Sequence, residues 1–237
     1  MHKTNKLALI TGASSGIGAA LSRKLCEKDY HCILASRSEE KLQHLAESLQ
    51  SEGHICTFIK VDVSNESSVD ALFEESSKIG TVSLVINNAG LGIFSKIEDS
   101  SVEDWDAQIN VNLRGSFLVS RKYIPSMQEQ KSGTLVFMNS VAGNFGYPYS
   151  AAYVASKFGL RGLSDSLRNE LRKDKIKVIS VHPGAINTAF WDDINVDFPR
   201  EEMLTPEAIA ASVVHAIEAP DATVIENLTI RRVGGDF

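Results

Sequence analysis

The sequence predicts a doubly wound α/β domain, a parallel sheet with helices on both faces. Three observations predict it. Short, near-continuously apolar runs recur along the chain, segments of helical periodicity separate them, and most unusual local sequences sit at the carboxyl ends of the runs. Runs of that kind suit strands buried on both faces, and strand–helix alternation is the pattern of parallel sheets.

Taken in order, the predicted strands are Leu7–Ile10, His31–Ala35, Cys56–Val61, Leu84–Asn87, Thr134–Asn139, Val178–His182 and Thr223–Ile225. Amphipathic stretches at Gly18–Lys28, Glu39–Glu52, Ser67–Lys78, Val102–Gln128, Tyr153–Arg172 and Pro206–Glu218 predict the helices. Pro and Gly are spread through the turns instead of pooled in a linker, and neither a repeat nor a low-complexity tract is found. A single domain over residues 1–237 is therefore expected.

Composition narrows the function classes. A hydrophobic fraction of 43% supports a sizeable core and argues against disorder. A formal charge of −6 argues against nucleic acid or an anionic membrane as partner. Met1–Lys6 is short and polar, and the apolar run after it is broken by Gly12, so neither a signal peptide nor a membrane span is expected. Cys26, Cys32 and Cys56 form an odd set without metal-ligand spacing, which reads as reduced thiols packed as small hydrophobes. No metal is expected, and a cytoplasmic setting is.

The first strand runs into Thr11-Gly12-Ala13-Ser14-Ser15-Gly16-Ile17-Gly18 and a helix follows at once. Glycines there let the backbone turn tightly and approach a pyrophosphate, which free N–H groups at a helix start favour. The spacing differs from the usual dinucleotide fingerprint, and a tight strand-to-helix connection is the bland alternative. The second strand ends in Ser36-Arg37, where an NAD site would place an acid for the ribose 2′-hydroxyl. Arg37 instead suits a 2′-phosphate, which predicts NADP(H). Asp62 and Val63, after the third strand, would border the adenine. Asn88-Ala89-Gly90, after the fourth, would offer backbone and small side chains along the cofactor. Both are also ordinary turn sequences.

At the other end, Ser140 follows the fifth strand, and Tyr153 and Lys157 lie four residues apart on one helix face. Carbonyl reduction needs a proton donor at oxygen. A tyrosine of pKa near 10 suits that role better with an ammonium, and an oxidised nicotinamide, beside it. By chance alone such pairs are common surface features.

Together these motifs resemble the short-chain dehydrogenase/reductase family over nearly the whole chain. The resemblance rests on Thr11 to Gly18, Asp62, Asn87-Asn88-Ala89-Gly90, Asn112 within Val-Asn-Leu-Arg-Gly, Ser140, Tyr153-x-x-x-Lys157 and Pro183-Gly184-x-x-x-Thr188. It implies a Rossmann-type fold and hydride transfer between NADP(H) and a carbonyl or alcohol. Ser140, Tyr153 and Lys157 would be catalytic, Asn112 would anchor a proton-relaying water, and Lys157 would also bind the nicotinamide ribose. Ile186 and Thr188 would hold the carboxamide. It further implies a homodimer or homotetramer, packed through Val102–Gln128 and Tyr153–Arg172. Without the family, Asn112 reads as a polar residue kinking a helix, and His182 as a packed strand histidine outside the site.

Substrate choice is expected from the loops 91–96, 141–149 and 189–204. Phe94, Phe145, Tyr147, Tyr149, Phe190 and Trp191 offer an apolar pocket wall, with core plugs as the alternative. Asp192, Asp193 and Asp197 read as a solvated loop face, and Arg231-Arg232 as a solvated tail. That tail resembles 3-oxoacyl reductases only loosely. It is closer to hydroxy-acid and hydroxy-amino-acid dehydrogenases, general carbonyl reductases and sepiapterin reductase-like enzymes. A cofactor-sensing regulator without turnover is the rival of another class, and it would have no use for Asn112, Ser140, Tyr153 and Lys157 together.

Overall fold

In the computed structural model, which describes residues 6–192 and 199–235, seven strands form one parallel sheet in the order β3-β2-β1-β4-β5-β6-β7. These are β1 (Lys6–Thr11), β2 (Tyr30–Ser36), β3 (Cys56–Lys60), β4 (Val82–Asn87), β5 (Gly133–Met138), β6 (Ile176–Pro183) and β7 (Asn227–Ile230). The helices are α1 (Gly16–Cys26), α2 (Glu39–Ser51), α3 (Glu66–Ile79), α4 (Val102–Gln108), α5 (Ser116–Gln130), α6 (Ala151–Leu171) and α7 (Pro206–Ile217).

The two-residue period of each strand divides its side chains between two cores. Ala8 and Ile10 join Leu21, Leu25, Leu42 and Val213 on the face of α1, α2 and α7. Leu7 and Leu9 join Leu72, Leu118, Tyr123 and Leu160 on the face of α3, α5 and α6. Helix starts are fixed by Asn65 Oδ1, Ser101 Oγ and Thr205 Oγ1, which accept from the backbone of Ser68, Asp104 and Ala208. The strand order reverses between β1 and β4, so a crevice opens beyond their carboxyl ends.

Two predicted elements differ. The single helix expected over Val102–Gln128 is split by a π-helical segment, Ile109–Gly115, centred on the buried Asn112. Wider turns of this kind concentrate at functional sites. The last strand lies at Asn227–Ile230, not Thr223–Ile225. Thr223 N–H is turned back onto the Pro220 carbonyl at 2.7 Å, and pairing with β6 starts only at Ser180–Asn227. Among the described residues no helix is long and apolar enough to cross a membrane, and no cluster of metal-ligating side chains is present.

Candidate active site

At the β1 end of the crevice the glycines make contacts that a side chain would forbid. Gly12 has φ +65°, and a Cβ on it would lie 2.9 Å from Ala89 Cα. Gly16 has φ +53° beside the Thr188 methyl, and a Cβ on Gly18 would overlap the Gly12 carbonyl. Thr11, which opens the glycine motif but has no role of its own in the sequence reading, locks this corner. Its hydroxyl donates to the Ile86 carbonyl and accepts from Asn88 N–H at 3.0 Å and Ala89 N–H at 3.1 Å. Asn88 Nδ2 returns bonds to the Thr11 and Gly12 carbonyls at 3.0 and 3.2 Å. Asn88 is thus a brace between strand ends as well as a lining residue.

A cavity of about 350 Å³ runs from this corner. Of the predicted cofactor residues, Gly12, Ser14, Ser15, Gly16, Ile17, Arg37, Asp62, Val63, Asn88, Ala89, Gly90 and Thr188 line it. Ser15 makes no side-chain capping bond at the start of α1, so the N–H groups there remain available to an anion. Ser36 Oγ accepts from Ser38 N–H at 3.2 Å, and the exposed Arg37 makes no ion pair with any described residue. The Asp62 carboxyl is held below its ordinary value by the Ser64 hydroxyl and N–H, with help from Arg37. Val63 seats on Gly115, where a Cβ would come within 2.8 Å of its methyl.

The remaining predicted residues do not line that cavity. Pro183 ends β6, Gly184 N–H is spent on the Ile230 carbonyl at 2.9 Å, and Ile186 bridges to Leu204. Gly18, Tyr153 and Lys157 do not line the cavity either.

Past the end of β5, Ser140 Oγ accepts from Ala142 N–H at 3.1 Å, which leaves its O–H for another acceptor. Tyr153 and Lys157 stand one turn apart on α6, with the Lys157 Nζ 5.6 Å from the Tyr153 ring centre. Lys157 is 5% exposed, and its Nζ donates to the Met138 carbonyl at 2.9 Å. Burial lowers the Lys157 amine to about 8. Burial also pushes the Tyr153 phenol up to about 12, against a hydrogen bond from Ser140. Among protein groups alone desolvation outweighs that bond; the pull expected of Lys157 together with an oxidised nicotinamide concerns the cofactor-loaded enzyme.

Asn112 is fully buried. Its Oδ1 accepts from Leu91 N–H at 2.8 Å, and its Nδ2 donates to the Leu91 carbonyl at 2.9 Å and Ser156 Oγ at 3.0 Å. A Cβ on Gly90 would lie 3.2 Å from that Oδ1 and 3.8 Å from Lys157 Nζ, so Asn112, Gly90 and Lys157 are stacked in sequence. His182 is buried as expected, yet its Nδ1 reaches the Ser140 carbonyl at 3.2 Å and its Nε2 the Ser180 hydroxyl at 2.9 Å. Because a carbonyl only accepts, Nδ1 carries the proton and Ser180 donates to Nε2.

Of the six aromatics predicted near the substrate, Phe94, Phe190 and Trp191 gather over Tyr153, while Phe145 and Tyr149 are exposed. Arg200, also missed, clasps the loop: it donates to Asn187 Oδ1 at 3.0 Å, the Thr188 carbonyl at 2.7 Å and Asp192 at 2.8 Å. Asp192 is therefore paired, not merely solvated; Asp193 and Asp197 lie outside the described residues. The tail is exposed at Arg231, which lies over the Phe145 ring, whereas Arg232 is half-buried and pairs with Glu202.

A family profile described as short chain dehydrogenase matches residues 6–198. The chain belongs to that family. It is an oxidoreductase. Similar proteins include a sepiapterin reductase of Chlorobaculum tepidum, 34% identical over 98% of both chains. Among solved structures, an alcohol dehydrogenase from the archaeon Thermococcus sibiricus, complexed with 5-hydroxy-NADP, superposes with a TM-score of 0.89. It is 31% identical, over 96% of this chain and 97% of that one. A metagenomic short-chain oxidoreductase in complex with NADP gives 0.86 at 30% identity, over 98% of this chain and 99% of that one. In this oxidoreductase the family's motifs therefore sit on one crevice, with the cavity at one end and the half-buried Tyr153 beside the buried Lys157 at the other.

Proposed function

We propose that this oxidoreductase uses NADP(H) to reduce a carbonyl, or oxidise the matching secondary alcohol, with Tyr153 as acid/base. The observation that carries the cofactor choice is Arg37: exposed, on the cavity wall and without an acidic neighbour at Ser36. Its planar fork suits a 2′-phosphate. Glycines whose added Cβ would strike neighbouring backbone, and the uncapped start of α1, form the cradle a pyrophosphate needs. Both solved relatives described above carry an NADP form. When bound, the nicotinamide supplies or takes up the hydride.

The chain's own residues handle the proton. Ser140 turns the O–H that it otherwise gives to the Tyr153 phenol onto the substrate oxygen, and Tyr153 delivers the phenolic proton to it. A Lys157 ammonium beside the ring stabilises the phenolate left behind. Asn112 spends its amide on Leu91 and Ser156, so it holds the turn that carries Gly90 and Leu91 along the cavity; water relay is assigned to it from the family resemblance alone. Three unbridged cysteines fit a reducing, cytoplasmic compartment. Exposed Trp105, Phe117 and Phe158 on α4, α5 and α6 support a homo-oligomer packed through these helices.

Tyr153→Phe should abolish carbonyl-dependent NADPH oxidation while NADPH binding, read by fluorescence titration, persists. Retained turnover refutes the mechanism. Arg37→Ala should cut kcat/KM for NADPH by about 10- to 100-fold, the worth of one charge-assisted contact, with little effect on NADH. Equal or better efficiency with NADH in the unmodified protein refutes the cofactor choice.

A further inference from the structure

Tyr153 is packed among aromatic rings. Phe94 lies 5.5 Å from it and Phe190 5.8 Å, both tilted by 55°. Trp191 completes the group, parallel to Phe94 at 6.2 Å and edge-on to Phe190 at 5.4 Å. Three separate stretches supply these rings: the turn after β4, the segment after β6 and helix α6.

The convergence is held from several sides. A Cβ on Gly92 would overlap the Phe190 ring and come within 2.8 Å of Phe94, so only glycine lets both rings meet there. Trp191 Nε1 donates to the Ile186 carbonyl at 2.9 Å, and Arg200 fixes Thr188 and Asp192 on either side of Phe190 and Trp191.

Charge around the box is just as telling. Lys157 lies against the Tyr153 ring, but its ammonium donates to the Met138 carbonyl. Arg200 is committed to Asn187, Thr188 and Asp192, and Arg231 sits over Phe145. A carboxylate brought to Tyr153 would lose part of its water against the negative faces of these half-buried rings. A flat, neutral ring placed there gains edge-to-face contacts instead.

We infer that Phe94, Phe190 and Trp191 form the substrate wall and select an uncharged aryl carbonyl compound over an oxo acid bearing a carboxylate near the reacting carbon. The inference rests on the carbonyl-reducing reading above. In the reaction the carbonyl carbon gains a hydride and its oxygen gains the Tyr153 proton. The aryl ketone becomes a secondary alcohol as NADPH is oxidised to NADP⁺.

Ethyl benzoylacetate, benzoylacetate, ethyl acetoacetate and acetoacetate separate ring from charge around one 3-oxo group. With NADPH oxidation followed at 340 nm, the aryl ester should exceed the aliphatic ester in kcat/KM by about tenfold or more, as apolar contacts of this size do. Each ester should exceed its acid by a similar factor. Phe94→Ala and Phe190→Ala, checked for folding by thermal melting, should collapse the aryl-to-aliphatic ratio toward one, and Phe94→Trp should restore it. Acids reduced as well as esters, or a ratio unmoved in folded alanine variants, overturn the inference and leave carbonyl reduction intact. Turnover of acetoacetate without turnover of the aryl ester does the same. No turnover of any carbonyl across a broad panel overturns the underlying reading as well.

Discussion

Asn112→Ala removes a side chain with no exposure and three hydrogen bonds. Ser156 keeps a partner, because its hydroxyl also donates to the Tyr153 carbonyl at 2.7 Å. Leu91 loses both of the bonds that Asn112 made to its backbone, and a buried group left unpaired costs about 1–3 kcal/mol. Leu91 is half-buried on the cavity wall, where water can reach part of it, so a total of roughly 2–4 kcal/mol is expected. For a chain of this length, each kcal/mol lowers Tm by about 2–4 °C, which predicts a fall of roughly 5–15 °C. Differential scanning calorimetry measures it directly. The same variant should raise the KM for NADPH, since Gly90 and Leu91 form part of that wall. An unchanged Tm together with an unchanged KM would show that the Leu91 turn holds itself, and would refute the role given to Asn112.

Further expectations concern pH and the loop clasp. Burial lowers Lys157 to about 8, so its ammonium is present below that pH and lost above it, while the Tyr153 phenol stays protonated up to about 12. Reduction should therefore be level below pH 8 and fall about tenfold per unit above it; a rate that rises through pH 9 contradicts this. Because the folded chain holds Lys157 less charged than the unfolded chain does, its contribution to stability increases as pH rises from about 8 toward the ordinary lysine value of 10.5. Lys157→Met should flatten that rise in denaturant titrations. Arg200→Met should raise the KM values for NADPH and substrate by about tenfold with little change in Tm, since its bonds hold Thr188 beside the cavity and the side chain is itself partly exposed. Unchanged KM values would remove Arg200 from the list of positioning residues.

Periodic hydrophobicity made the sheet legible because strands buried on both faces cannot be polar, and β1 to β6 fall where the apolar runs lie. The edge strand was misplaced because register with β6, not apolarity, decides it: Thr229 and Asn227 are exposed, while Val224 and Ile225 pack on the core outside the ladder. The π segment was invisible because a widened turn depends on what Asn112 meets across space, at Leu91 and Ser156. Local motifs exposed the glycine cradle and the Tyr153–Lys157 pair. Thr11 opens the glycine motif and His182 and Arg200 carry none, but the roles of all three come from partners 77, 42 and 12 residues away. The desolvation of the Tyr153 phenol also escaped the sequence, which shows a neighbouring lysine but not the rings around it.

The three buried thiols have a use in the laboratory. Cys26, Cys32 and Cys56 all lie on α1, β2 and β3, and Cys32 and Cys56 are register neighbours. A thiol reagent can reach them only when that side of the molecule opens, so labelling rates become a clock for local opening of one half. The half that holds Ser140, Tyr153 and Lys157 has no cysteine, and so stays silent in the same experiment.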